Sequence, residues 1–296
     1  MQALTITAPA KVNLFLGIGG IRPDGHHDVD SIFQTLELHD TIRMTPSEQL
    51  SLSCDEHLGI SSEHNLAFRA ARAFSAAYDI DVLAHLDIVK RIPAGAGLAG
   101  GSSDAAAVLA GLAHWSQISF DDTRLHAVAR SLGADVPFFL YGGAALMHGR
   151  GDELVRHLPN VVIDVALIKP GVPVSTAEAY RAFDADPQPM GDQEQVARAL
   201  EIGGGVQGLG ASLSNNMTKA SVSLVPEVGQ ALEWMKAQAG VHGALVAGSG
   251  SAVFGLCETK DVATCVADAA AARGMWSVAT RTRPAGVRVV SEEGPM

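Results

Sequence analysis

Residues 90–111, "KRIPAGAGLAGGSSDAAAVLAG", place Gly95, Gly97, Gly100 and Gly101 directly ahead of a run of alanines and aliphatics. A strand-like stretch, Ala84 to Ile92, leads into the loop Pro93 to Gly101, and Ser102 to Leu112 reads as a buried helix. Glycine adopts dihedrals closed to other residues and lets a ligand approach the main chain. If Ser102 or Ser103 opens the helix, its free N–H groups and aligned peptide dipoles face an incoming anion, and a polyphosphate is the natural occupant. The small side chains of "DAAAVLAGLA" let the helix sit close beneath the loop. The stretch is not a P-loop, because Gly101 leads to Ser102 and Ser103 without a G-K-[ST] ending. An ordinary glycine-rich turn before an alanine-rich helix is the alternative.

Upstream, Ala3 to Ile6 and Val12 to Ile18 read as strands, with more sheet at Phe33 to Leu38 and Thr41 to Met44. The period then changes: Leu66, Ala70, Ala73, Phe74 and Ala77 share one helical face. Downstream, a helix is expected over Asp122 to Ser131, and "VPFFLYGGAALMHGRGDEL" reads as strand, tight turn and strand. "VVIDVALI" is a buried strand, "STAEAYRAF" a helix capped by Ser175 or Thr176, and Asp184 to Gln195 a surface loop. "EIGGGVQGLGASLSNN" is expected to be irregular at its centre, since consecutive glycines raise the entropy cost of regular structure. The last part alternates helix Glu227 to Ala239, strands Ala244 to Ala247 and Ala252 to Glu258, helix Val262 to Arg273 and strand Met275 to Arg281. The class is α+β, with two domains, 1–155 and 156–296.

The 296 residues suffice for two domains, and 47% hydrophobic with 5% aromatic content means cores of Ala, Val, Leu and Ile. A net charge of -11 argues against a nucleic acid or an anionic membrane as the main partner, while leaving room for a local cluster that binds a small anion. Cys54, Cys257 and Cys265 match no disulfide framework or zinc spacing and read as buried free thiols. "MQALTITAPAKVN" lacks an export signal, and no apolar run approaches the roughly 20 residues of a membrane span. A cytoplasmic protein, monomer or homodimer, is expected.

The chain resembles the galactokinase, homoserine kinase, mevalonate kinase and phosphomevalonate kinase superfamily. The resemblance rests on "PAKVNLFLGI" from Pro9, "RPDGHHDVDSIFQTLELHD" from Arg22, "HNLAFRAA" from His64, "IPAGAGLAGGSSDAAAVL" from Ile92, "LGADVPFFLYGGAALMHGRGDEL" from Leu132, "KPGVPVSTAEAY" from Lys169 and "GSGSAVFGL" from Gly248. Singly each is weak; their order and number carry the resemblance. It implies a two-domain small-molecule kinase fold: an amino-terminal half like domain 2 of ribosomal protein S5, a carboxy-terminal ferredoxin-like α/β sandwich, and an active site between them. It further implies ATP as phosphoryl donor, Mg2+ held on the phosphates rather than by a protein cage, and a cytidylated sugar alcohol as acceptor.

Transfer to an alcohol needs an aligned hydroxyl, a path for its proton and positive groups opposing the charge on the phosphoryl unit. Asp135 in "GADVPFFL" is the candidate base or positioning carboxylate; by local sequence alone it is equally an N-cap before Pro137. By the resemblance Lys11 pairs with Asp135, although a lysine at a strand start is commonly a solvated surface group. Asn13 shares the Lys11 face if the strand alternates regularly, with Val12 and Leu14 on the other. The nucleotide set implied by the resemblance is Asn65, Lys90, Pro93, Gly95, Ala96, Gly97, Leu98, Ala99, Gly100, Gly101, Ser102, Ser103 and Asp104. Of these, Asn65 is alternatively a helix-start residue, Lys90 a solvated strand-edge lysine and Asp104 a first-turn acid.

The acceptor set implied is Asn13, His26, His27, Asp135, Tyr180, Gly248, Ser249 and Gly250. Those superfamily members that act on a cytidylated acceptor usually have D-G-Y-H where this chain has Asp24-Gly25-His26-His27, so by this resemblance His26 stands in place of a tyrosine that stacks on cytosine. The family's N-D-L-E segment is only partly matched by "ASLSNNMTKA", in which Asn216 replaces the acid.

Overall fold

The computed structural model describes residues 2–56 and 59–293. The first part runs β1 (Ala3–Ile21), β2 (His27–Pro46), β3 (Ser51–Cys54), α1 (Leu66–Tyr78), β4 (Ala84–Val89), α2 (Gly100–Trp115), α3 (Thr123–Leu132), α4 (Val136–Tyr141), β5 (Ala144–His148) and β6 (Glu153–Leu158). It continues with β7 (Asp164–Lys169), α5 (Thr176–Ala185), α6 (Gln193–Glu201), α7 (Gly205–Ser212), β8 (Ser214–Asn215), α8 (Thr218–Leu224), α9 (Pro226–Lys236), β9 (Val241–Val246), β10 (Val253–Cys257), α10 (Lys260–Ala271), β11 (Trp276–Arg281) and β12 (Arg288–Glu293).

Two sheets organise the molecule. The larger runs β12-β1-β2-β4-β3, with β5 also on β2, β6 on β5 and β8 on β1; the smaller is the antiparallel sheet β11-β7-β10-β9. The α+β class is therefore as expected, and β8 and β12, late in the chain, return to the first sheet.

Side-chain alternation assigns the faces of the second sheet. Val165 and Leu167 of β7 enter one core with Phe254 and Leu256 of β10, while Ala166 and Ile168 face the other way with Val253, beneath α9 and α10. The long strand β1 feeds every core: Leu4, Ile6 and Ala8 pack with α2, Ala10, Val12 and Leu14 pack with the second sheet, and Leu16 and Ile18 join the third cluster. Its register on β2 slips between Pro9 and Lys11. The two extra residues lie on β2, and beyond this point Ala10, Val12 and Leu14 pack in the second core while Lys11 and Asn13 line the cleft.

Three local expectations are corrected. "VPFFLY" is the helix α4, not a strand: Asp135 occupies its N-cap position and Pro137 its first turn, where a fixed φ favours helix. Val136, Pro137, Phe138 and Phe139 are all buried, so no period marked the segment as helical. The glycine-rich stretch after Glu201 carries the regular helix α7. A Cβ on Gly210 would lie 2.3 Å from the His242 carbonyl oxygen, so this glycine serves close packing on β9 rather than freedom. Of the three free cysteines only Cys257 is buried; Cys54 is half-buried and Cys265 exposed.

Candidate active site

A cleft of about 650 Å³ runs along the loop before α2 and is lined by residues of both parts of the chain. Helix α2 begins two residues earlier than expected, at Gly100, and Ala99, in a left-handed conformation at φ 57°, occupies its N-cap. The first i→i-4 bond runs from the Ser103 N–H to the Ala99 carbonyl at 3.0 Å, so the N–H groups of Gly100, Gly101 and Ser102 belong to the open end. Those three residues line the cleft, as do Pro93, Gly95, Ala96, Gly97 and Ala99.

Two glycines of the loop have different physical reasons. Gly95 has φ +62° with nothing within 4 Å of a would-be Cβ, so it turns the chain and leaves space in front. Gly97 has φ +76°, and a Cβ there would lie 1.9 Å from the Ala247 carbonyl oxygen. The loop thus rests on the backbone just ahead of Gly248, and the Ala252 N–H donates to the Ala96 carbonyl at 3.1 Å. Leu98 and Ser103 do not join the lining. Leu98 is a core residue whose carbonyl accepts the Lys11 N–H at 3.1 Å, and Ser103 is buried beneath the helix start.

Asp135, at the head of α4, makes no side-chain cap bond and is free for other work. Its carboxylate lies 3.6 Å from the Lys11 ammonium. Lys11 is not a surface lysine: it is 4% exposed, donates to Asn13 Oδ1 at 2.9 Å, and sits 4.8 Å from the centre of the Phe33 ring. Asn13 in turn donates to Ser31 Oγ at 2.9 Å, and Ser31 to the Phe15 carbonyl at 2.7 Å. This buried chain fixes the ammonium so that its remaining donors are aimed and cost little reorganisation.

Lys90 is likewise not solvated. It donates to Asp104 at 2.7 Å and to Asp40, both buried carboxylates. Burial lowers the Lys90 pKa, but the two carboxylates outweigh it and the net shift is upward. Burial pushes Asp104 up to about 7, with Asp40 adding to the rise and Lys90 opposing it. One cation between two acids leaves a net negative charge out of water, and a carboxylate in that position gives way first. Asp40 also accepts the Ile92 N–H at 2.8 Å, which ties β2 to the root of the glycine loop. Asp104 is therefore an ion-pair partner rather than a helix cap, and Asn65 caps α1 by accepting from the Ala67 N–H at 2.9 Å while also lining the cleft.

At the other end, Tyr180 on α5 lines the cleft, and its ring centre lies 5.0 Å from that of His27. Burial, together with the charge of Asp135, pushes the Tyr180 hydroxyl up to about 12. His27 Nε2 is 2.7 Å from Asp184 Oδ1. Neither His27 nor His26 is in the cleft lining itself: His27 borders it through Tyr180, whereas the His26 side chain is 59% exposed beside Asp24 and does not join this group. Gly248 and Ser249 line the cleft, with Ser249 Oγ 3.0 Å from Thr176 Oγ1, whereas Gly250 stands behind them. Asn215 holds that loop by donating to the carbonyls of Val246 at 2.9 Å and Gly248 at 2.8 Å.

Asn216, which replaces an acid of the resembled family, has a clear task. Its Oδ1 accepts the Ile18 N–H at 2.9 Å, and its Nδ2 donates to the carbonyls of Ile18 at 3.0 Å and Gln188 at 3.1 Å. A carboxylate could not make the second pair. Asp40, Arg150 and Asp184 were not singled out in the sequence, and Thr176 only as a candidate cap; each meets its partner across more than one element except Arg150, whose carboxylate is Asp152, 2.8 Å away. Among the described residues no group of three or more His, Cys, Asp or Glu is placed to hold a metal ion, and no helix is long and apolar enough to cross a membrane.

Comparison with known proteins agrees with this geometry. The model of the GHMP kinases N terminal domain matches residues 65–143, and that of the GHMP kinases C terminal matches residues 191–274. A 4-diphosphocytidyl-2-C-methyl-D-erythritol kinase of Desulfitobacterium hafniense is 42% identical over 268 residues, 88% of this chain and 89% of the relative. A crystal structure of 4-(cytidine 5'-diphospho)-2C-methyl-D-erythritol kinase superposes with a TM-score of 0.80 at 36% identity, covering 94% of this chain and 99% of the other. Homoserine kinase from Cytophaga hutchinsonii, at 18% identity, shares the fold with a TM-score of 0.75 over 98% of each chain. By these matches along almost its whole length, the chain belongs to the 4-diphosphocytidyl-2-C-methyl-D-erythritol kinase family of the GHMP kinases.

Proposed function

We propose that this kinase moves the terminal phosphoryl group of ATP to the 2-hydroxyl of 4-diphosphocytidyl-2-C-methyl-D-erythritol, a step of non-mevalonate isoprenoid precursor synthesis. The observation that carries the reading is that one cleft holds the open end of α2, the Lys11 and Asp135 pair and Tyr180. The ATP phosphates lie on Gly95 to Ser102, where backbone N–H groups and the α2 dipole oppose their charge. The space in front of Gly95 fits a phosphate chain that no side chain could share.

Asp135 takes the acceptor's proton or holds its hydroxyl in line, and Lys11 offsets the charge that builds up between the reacting oxygens. Mg2+, when bound, would be carried chiefly by the nucleotide at the Gly95 to Ser102 loop and would supply positive charge against its phosphates; among the described residues no carboxylate cage is built for it, since Asp104 is turned to Lys90. His27, oriented by Asp184, and Tyr180 receive the cytosine; His26, in solvent, is left out of this contact. Residues 1–155 supply the nucleotide side together with Lys11, Asp135 and His27, and residues 156–296 complete the acceptor side with Tyr180, Asp184, Gly248 and Ser249, in a soluble cytoplasmic enzyme.

An acceptor panel tests this: ADP formation and product mass are followed with cytidylated methylerythritol, homoserine and mevalonates. Phosphate is expected on the cytidylated acceptor alone. Turnover of another alcohol in its place removes the assignment.

A further inference from the structure

Among the described residues three fixed cations line the cleft, Lys11, Lys90 and Arg150, and two of them are enclosed by their partners. Lys90 is shut between Asp40 and Asp104, with 5% of its side chain exposed. Lys11 is equally buried and engaged with Asn13 and Asp135. Arg150 differs, with 32% of its side chain exposed at the cleft.

Its placement is built. Gly149 and Gly151, at φ +74° and +86°, form a turn that no other residue type would follow without strain. The Val29 N–H donates to the Gly149 carbonyl at 2.8 Å, and Arg150 bridges to Val29, so the turn is fastened to β2 close to His27. Asp152, 7% exposed, holds both ends of the residue: Oδ1 accepts the Arg150 N–H at 3.0 Å and Oδ2 accepts an Nη2 donor at 2.8 Å. A guanidinium has five N–H donors in a rigid fork, so most remain for an anion.

We propose that Arg150 grips the diphosphate of the acceptor. This rests on the acceptor assignment above. The acceptor has cytosine at one end, a hydroxylated chain at the other and two negatively charged phosphates between them. The cytosine side is at His27 and Tyr180 and the chemistry at Lys11 and Asp135, and Arg150, which among the described lining cations keeps most of its donors after its pair with Asp152, is tied to the strand that carries His27. Charge-assisted bonds from a guanidinium to phosphate are among the strong polar contacts. Arg150 thereby sets the acceptor class, favouring a nucleoside diphosphate derivative over an uncharged nucleoside.

The test is calorimetric titration of cytidine and CDP with the donor site filled by a nonhydrolysable ATP analogue. Wild type is expected to bind CDP at least about tenfold more tightly than cytidine. In Arg150→Gln that ratio is expected to fall to within about threefold, with cytidine affinity held, and Arg150→Lys to recover part of it. An unchanged ratio in Arg150→Gln, or an equal loss of cytidine and CDP, overturns the proposal. Absence of cytidine binding in wild type would instead overturn the acceptor assignment. Should Arg150→Gln fail to fold, phenylglyoxal labelling of wild type decides by peptide mass: protection of Arg150 by CDP but not cytidine supports the grip, and labelling unaffected by CDP refutes it.

Discussion

Gly97 lies so close to Ala247 that an added Cβ would stand 1.9 Å from the Ala247 carbonyl oxygen. The glycine loop is seated on backbone of the second sheet's edge, so its shape is set from outside as well as by its own dihedrals. Gly97→Ala is therefore expected to displace the loop. Both thermal stability and the KM for ATP should suffer, the first by more than the roughly 1–2 kcal/mol of a left-handed alanine alone. Gly95→Ala meets no neighbour. It should show only that strain, a drop in Tm of roughly 2–4 °C per kcal/mol, while its methyl enters the phosphate space and raises the KM for ATP. Equal melting temperatures for the two variants would refute the close-packing account.

Asp135→Asn keeps volume and removes the charge. The side chain makes no cap bond to α4, so little stability is lost. Removing a general base or positioning carboxylate commonly lowers turnover by about 10²–10⁴-fold. Stopped or coupled assays of ADP release should show that fall with nucleotide affinity intact, and near-normal kcat would exclude Asp135 from the chemistry.

The buried triad Asp40, Lys90 and Asp104 makes a pH prediction. Burial raises the Asp104 carboxyl in the folded state to about 7, from an ordinary 3.8. A carboxyl raised on folding stabilises the fold below its unfolded pKa, and that contribution is lost as pH rises through the folded one. Asp104→Asn removes the titration. The Tm of Asp104→Asn minus that of wild type should therefore grow between pH 5 and pH 8. A difference that is flat or shrinks would contradict the raised carboxyl. Lys90→Met leaves both acids uncompensated and should cost roughly 3–5 kcal/mol at neutral pH, read by denaturant unfolding.

Tyr180 presents a ring to His27, and burial with the nearby Asp135 charge holds its hydroxyl neutral at working pH. Tyr180→Phe should hold the acceptor KM within about twofold, whereas Tyr180→Ala should raise it about tenfold, the upper end of an aromatic pair's worth. A large effect of Tyr180→Phe would mean that the hydroxyl, not the ring, is used.

Much of this was legible in the residues. Lys11 and Asn13 share a face, the glycine loop opens a helix, and Ser175 caps α5 by accepting the Glu178 N–H. What was not legible involves partners distant in sequence or conformations without a period. Lys90 and Asp40 are 50 positions apart, and only the β2 to β4 pairing brings them together. A helix as short and as uniformly buried as α4 gives no amphipathic signal, and the glycines of α7 carry information about a neighbour, Gly243, that appears only when the chain is folded. His26 was placed on the cytosine because it stands where the resembled kinases have a tyrosine; in the fold it lies in the bend before β2, with its side chain 59% exposed, and His27, the first residue of β2, is the one packed against Tyr180.

Strand β1 contributes to all three cores, is joined by β12 from the far end of the chain, and carries Lys11 on the way. Such a spine makes the nucleotide side and the acceptor side hostage to one another. Neither can melt alone without dragging the same backbone ladder, so protease nicking should not liberate a surviving half, and shaving the final strand would be felt at the reacting ammonium.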